Sequence, residues 1–177
     1  MAILKQPMKE YDNAAYRYYG PSDLKMLPLM SWDVYGLYFD TLCKNYEDLV
    51  SLKRLSDQNK WMDVPNLNKA LIENELVILV TDVKQKIVHA TQNMVAMNGY
   101  LPHEVKGRRP TMFQGADTNE KDTFEIRKAL KNQSPFEAVV LNYKKDGTAY
   151  NCWIKGGPIF DTSGELVNFI AYEKVVA

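Results

Sequence analysis

The segment from Phe136 to Val176 leaves this chain the least freedom. It holds three runs rich in β-branched and aromatic residues, Phe136 to Tyr143, Ala149 to Gly156 and Leu166 to Val176. Lys145-Asp146-Gly147 and Asp161-Thr162-Ser163-Gly164 stand between them. Both read as tight reversals, because Gly takes positive φ without a steric penalty and Asp bonds its own backbone. Connections this short have no room for a crossover helix, so three neighbouring strands run antiparallel. Gly156-Gly157-Pro158 reads as a bend closing the middle strand.

Upstream, Glu75 to Thr81 (ELVILVT) reads as a buried strand, and Lys86 to Ala90 (KIVHA) as its hairpin partner across the polar DVKQ. Short helices follow at Thr91 to Gly99 and Pro102 to Val105. A clear helix spans Asp117 to Asn132, capped by Asp117 or Thr118, with acids in its first turns and Phe124, Ile126, Ala129 and Leu130 on its inner side. Two strands, several short helices and three antiparallel strands make an α+β domain, a five-stranded antiparallel sheet with the helices on one face.

Residues 1–74 form a separate N-terminal helical region, and residues 75–177 the main domain. The first part crowds Tyr11, Tyr16, Tyr18 and Tyr19 between Gly and Pro breakers. From Trp32 to about Trp61 apolar residues recur at helical spacing: Tyr35, Tyr38, Phe39, Leu42, Tyr46, Leu49 and Leu52. One long amphipathic helix is expected, or two broken near Gly36, with Leu67 to Asn74 a further helical segment. The stripe either packs on its own domain or pairs with a second subunit, and homodimerisation through it is the expectation.

Composition narrows the function classes. Twenty-two basic residues balance twenty-two acidic ones, which leaves no field to draw in nucleic acid or anionic lipid. The longest dense apolar run, Leu76 to Val80, is far short of the roughly 20 residues of a membrane helix, and no signal-peptide core opens the chain, so a cytoplasmic protein is expected. Cys43 and Cys152 are a distant pair, read as reduced and mostly buried thiols. No Ser/His/Asp set, carboxylate pair, phosphate-cradling loop or metal motif appears, so an enzyme is not expected. His89 and His103 are the two histidines.

Five segments in order carry a resemblance: VILVTDVKQKIVHA, MNGYLPHEVKGR, FQG, LNYKKDGTAYNCW and GGPIFDTSGELVNFIAYEK. Residues 75 to 177 resemble a PAS domain, and within that superfamily the light-oxygen-voltage (LOV) subgroup. The resemblance implies a cleft that binds a flavin nucleotide and forms a light-driven bond to a cysteine in a motif usually written GRNCRFLQG. Here the stretch is GRRPTMFQG, Gly107 to Gly115, with Pro110 where that cysteine stands. Proline has no nucleophilic atom, and the adduct needs a thiolate. Cys152 is the one thiol the pattern brings near such a pocket.

The resemblance further implies that Gln114 and Asn142 face the ligand and that Arg127 meets a phosphate. Read from the residues alone, the two amides equally suit backbone partners and Arg127 a solvated face. Thr111 replaces the motif's arginine, Cys152 the second strand asparagine and Glu173 the last-strand glutamine; Asn151 is one residue out of step and should face the other side of the sheet. Each lost partner costs about 1 to 3 kcal/mol. An ionised Glu173 would meet a flavin carbonyl as acceptor against acceptor. The expectation is a stand-alone sensory or interaction module, homodimeric, with no tightly bound cofactor and room for a small ligand. Flavin (FMN), working by reduction, is one alternative, and a structural partner protein with a self-filled cleft is another. The cleft candidates are Gln114, Asn142, Arg127, Cys152 and Glu173.

Overall fold

The computed structural model describes residues 29–63 and 65–176. The tyrosine-rich segment, Val64, and the side chains of residues 29–35 and 37, Tyr35 among them, lie outside the described residues. The elements are α1 (Leu29–Gln58), one π-helical turn (Lys69–Glu73), β1 (Val77–Asp82), β2 (Ile87–Ala90), α2 (Met94–Asn98), α3 (Pro102–Val105), a 3₁₀ turn (Pro110–Phe113), α4 (Glu120–Lys131), β3 (Phe136–Tyr143), β4 (Ala149–Phe160) and β5 (Leu166–Val176). The strands form one antiparallel sheet in the order β2-β1-β5-β4-β3. The α+β fold, with its five strands, short helices and preceding helix, is therefore as the sequence led us to expect.

The register sorts side chains by parity. Val77, Leu79 and Thr81 stand opposite Glu173, Ala171 and Phe169; on the other side of β5, those three face Ile154, Gly156 and Pro158. Cys152 and Tyr150 continue the row opposite Val140 and Asn142. Since alternate residues share a face, this row is one surface of the sheet. Val77, Leu79, Tyr150 and Cys152 pack there with Met94, Met97, Val105 and Phe113 from the helical side. The other parity, Ile78, Val80 and Ile170, packs with Leu52, Trp61, Leu67 and Leu71. Both faces of β1 are covered, which is why ELVILVT is unbroken instead of alternating.

The chain divides into two compact units between Asp40 and Thr41. In the second unit the C-terminal half of α1 lies on the outer face of the sheet. Leu52 is fully buried there, with Leu49 and Leu55 against the same cluster. Two polar points fix the helix: Asp48 Oδ2 accepts the Gln92 backbone N–H at 2.7 Å, and Asn168 Oδ1 accepts Asn59 Nδ2 at 2.7 Å and Trp61 Nε1 at 2.9 Å. Lys60, at φ 50, closes the helix, and the Trp61 N–H returns to the Ser56 carbonyl. Residues 41–74, assigned from the sequence to an N-terminal region, thus share a core with the sheet.

Of the two alternatives for the first helix, the single one holds, since α1 runs unbroken past Gly36. Several other expectations are corrected. The α4 cap is Asn119, whose side chain accepts the Lys121 N–H, rather than Asp117 or Thr118; Thr118 instead gives its hydroxyl to the Leu141 carbonyl at 2.7 Å. Phe124, placed on the inner side of that helix, is 58% exposed. Strand β4 runs on through Gly156-Gly157-Pro158 to Phe160. A Cβ at Gly156 would come within 2.7 Å of the Ile170 carbonyl oxygen and the Phe136 ring, so this glycine permits close approach, not a bend. Cys43 is exposed, while Cys152 is buried; both are free thiols. Among the described residues, no helix is long and apolar enough to cross a membrane.

Candidate ligand cleft

Between the inner face of the sheet and the helices lies a cleft of about 640 Å³, its open mouth included. The sheet contributes Leu79 and Thr81 from β1, Phe136 and Asn142 from β3, Ile154 from β4, and Phe169, Ala171 and Glu173 from β5. Opposite them stand Pro110, Phe113 and Gln114 of the loop and Ile126 and Leu130 of α4, with Gln85 at the β1–β2 turn. The walls are apolar, and their polar groups are few.

The loop is held in place by packing. Gly107 has φ 80, a conformation glycine adopts freely. At Gly115 a Cβ would lie 2.4 Å from Tyr143 Cε2. The Tyr143 hydroxyl in turn donates to Asp117 Oδ2 at 2.7 Å and accepts the Asp117 N–H at 3.2 Å. A glycine is required because the tyrosine ring lies against the loop. Gly115→Ala is expected to cost about 1 to 3 kcal/mol through overpacking; a melting temperature equal to that of the unaltered protein would refute this packing argument.

Of the five candidates from the sequence, the structure brings three together. Gln114, Asn142 and Glu173 line the cleft. Asn142 and Glu173 are each 4% exposed. Arg127 is exposed on α4 and folds back on its own helix, its Nη2 donating to Thr123 Oγ1 at 2.8 Å and its Nε to the Thr123 carbonyl at 3.2 Å. Cys152 lies below the cleft in the core, with its Sγ 4.0 Å from Glu173 Oε2. Asn151 is exposed on the opposite face, as its offset of one residue requires.

Burial governs the electrostatics here. Desolvation pushes the Glu173 carboxyl up to about 7, since an apolar surrounding penalises the charged form. The Cys152 thiol is pushed far up, first by burial and then by the neighbouring Glu173 charge. That thiol stays protonated and inert. The Tyr150 hydroxyl is pushed up as well, first by burial and then by Cys152 and Glu173. It lies near the Asn98 and Asn142 amides without reaching hydrogen-bond geometry with either, and Asn98 Nδ2 is likewise unpartnered.

Asn98 and Tyr150 are buried polar residues near Cys152 that sequence reasoning missed. In the sequence Asn98 shows only as a helix terminator beside Gly99. It is fully buried, its Oδ1 accepting the Tyr100 N–H at 3.1 Å. The signal for Tyr150 is present in the period-two row Tyr150, Cys152 and Ile154, which follows from strand alternation once one member is placed inward.

A PAS domain family model matches residues 74–174. The chain is 32% identical over 114 residues to phototropin-2 of Oryza sativa subsp. japonica, covering 63% of this chain and 13% of that protein. It is 30% identical over 111 residues to a blue-light photoreceptor of Listeria monocytogenes, covering 61% and 44%. The chain thus spans less than half the length of these curated relatives. Among solved structures, a LOV domain studied with a flavin analogue superposes with a TM-score of 0.59 at 30% identity, covering 66% of this chain and 87% of that one. The light state of the aureochrome1 LOV domain gives 0.57 at 26%, covering 62% and 88%.

Proposed function

The chain belongs to the PAS domain family and is of its light-oxygen-voltage type, and from that premise we propose a sensory module of signal transduction that works by protein contact, without a cysteine–flavin adduct. One observation carries the reading: no thiol lines the cleft among the described residues, and Pro110 does. Cys43 is exposed on α1 and Cys152 is packed in the core. The cleft holds a small ligand, and the response leaves through the α1 surface, which offers Tyr38, Phe39, Tyr46 and Val50 to a second copy or a signalling partner. No catalytic role is proposed.

A second reading is a flavin photo- or redox sensor working by flavin reduction. It is favoured by the convergence of Gln114 and Asn142 on one cleft and by the LOV relatives. The absorption spectrum of the purified protein in the near-ultraviolet and blue separates the two. A colourless protein is expected. A flavin band that bleaches on illumination through reduction favours the second reading; a band replaced by a thiol adduct that reverts in the dark overturns both.

A further inference from the structure

The cleft offers an anionic ligand no positive charge. Among the described lining residues there is one ionisable side chain, Glu173, and no Lys, Arg or His. Glu173 is more than nine-tenths buried, at 4% exposure, and its one polar side-chain neighbour at contact is the weak donor Cys152 Sγ at 4.0 Å. Lys174, the next residue, turns to the other face of the sheet, where its Nζ lies 5.1 Å from the Trp153 ring centroid. Arg127 is tied to Thr123. A buried carboxyl is ordinarily paired with a cation or several donors, because an apolar surrounding makes an unpaired one costly. Among the described residues no such pairing group reaches it.

We propose that the cleft takes a small phosphate-free ligand with an apolar body and an N–H donor edge, cationic or protonatable, which meets Glu173. This deepens the reading of the cleft as the ligand site and rests on it. Leu79, Ile154, Phe113 and Leu130 supply the cleft's apolar walls. Once ionised, the carboxylate accepts hydrogen bonds and donates none, so at alkaline pH a carbonyl edge is the wrong complement and an N–H edge the right one. A phosphate would add a second negative charge to walls with no positive one.

Proflavine, a cationic tricycle bearing N–H donors, and FMN, of similar ring size but carrying a carbonyl edge and a phosphate, make the test. Each is titrated by fluorescence anisotropy in mildly alkaline buffer, where the carboxylate is ionised. Proflavine is expected to bind at least about ten-fold more tightly than FMN, the ratio a charge-assisted hydrogen bond supplies. Glu173→Gln and Glu173→Leu, each checked for folding by circular dichroism, should lose that preference. Tighter binding of FMN overturns the proposal but leaves the cleft as a ligand site. No binding of either ring by the folded protein overturns both. Equal proflavine binding by all three proteins places the dye elsewhere and also overturns the proposal.

Discussion

Leu52→Ala is expected to destabilise the domain by about 3 kcal/mol, within the range for emptying a leucine-sized volume in a packed core. Leu52 is fully buried, and its neighbours Ile78, Val80, Ile159 and Ile170 come from three strands while Leu71 comes from the π-helical turn. Those groups are fixed by the sheet ladder, so they cannot collapse into the void. The contrast is with Phe39 and Tyr46, which are 68% and 70% exposed. Replacing both by Ser should leave urea stability within about 0.5 kcal/mol and should weaken self-association in light scattering coupled to gel filtration. The apolar stripe is therefore buried along one edge and exposed along another. If Leu52→Ala unfolds no more easily than the unaltered protein, the docking of α1 on the sheet is wrong; if the double Ser variant associates as strongly, the exposed face is not the contact.

That division shows where the sequence stops being legible. The residues Tyr38, Phe39, Leu42, Tyr46, Leu49 and Leu52 group as one seam because they recur every three or four positions. At about 100° per residue, Tyr46 stands about 120° round the helix from Leu52. A seam that wide cannot face one partner, and only the sheet determines which edge is buried. Asp48 shows the same limit. Spacing puts it on the solvated face, yet it is 4% exposed, bonded to the Gln92 N–H, with Oδ1 3.8 Å from His89 Nε2.

The strands are easier, because period two fixes the facing of every residue once one is known. Asn142, Glu173 and the displaced Asn151 all fall as the alternation requires. Long side chains are not fixed by pattern in this way: the position of Arg127 on α4 suits a cleft ligand, and its guanidinium is held by Thr123 instead. Phe124 fails for a similar reason. One residue from the buried Thr123, it lies beyond the edge of the apolar side of α4.

The remaining large effect is on pH. Glu173 has an ordinary carboxyl value of 4.5 in the unfolded chain and is pushed up to about 7 by burial in the fold. Between those values the folded protein holds a proton that the unfolded chain releases. This contribution is fully present below about 4.5 and is lost as pH rises through about 7. At about 1.4 kcal/mol per unit, the loss is on the order of 3 kcal/mol. Two other buried groups titrate nearby and oppose each other. Asp48, pushed up to about 6 chiefly by burial, acts in the same direction as Glu173. His89, pushed down to about 4 by burial and by Lys106, acts in the reverse direction from about 4 to 6.5. Their contributions largely cancel across their shared range and are spent by about pH 6.5, which leaves the net slope to Glu173. Urea denaturation from about pH 5 to pH 8 should thus show the unaltered protein weakening up to about pH 7 and levelling above it, while Glu173→Gln stays nearly level throughout and becomes the more stable of the two at the alkaline end. An equal slope in both proteins would mean that water or a partner group solvates the carboxyl. A level Glu173→Gln curve would mean that near neutral pH the cleft is held at the midpoint of one proton, so that a donor ligand binding the ionised form stabilises the fold most where the empty protein is weakest.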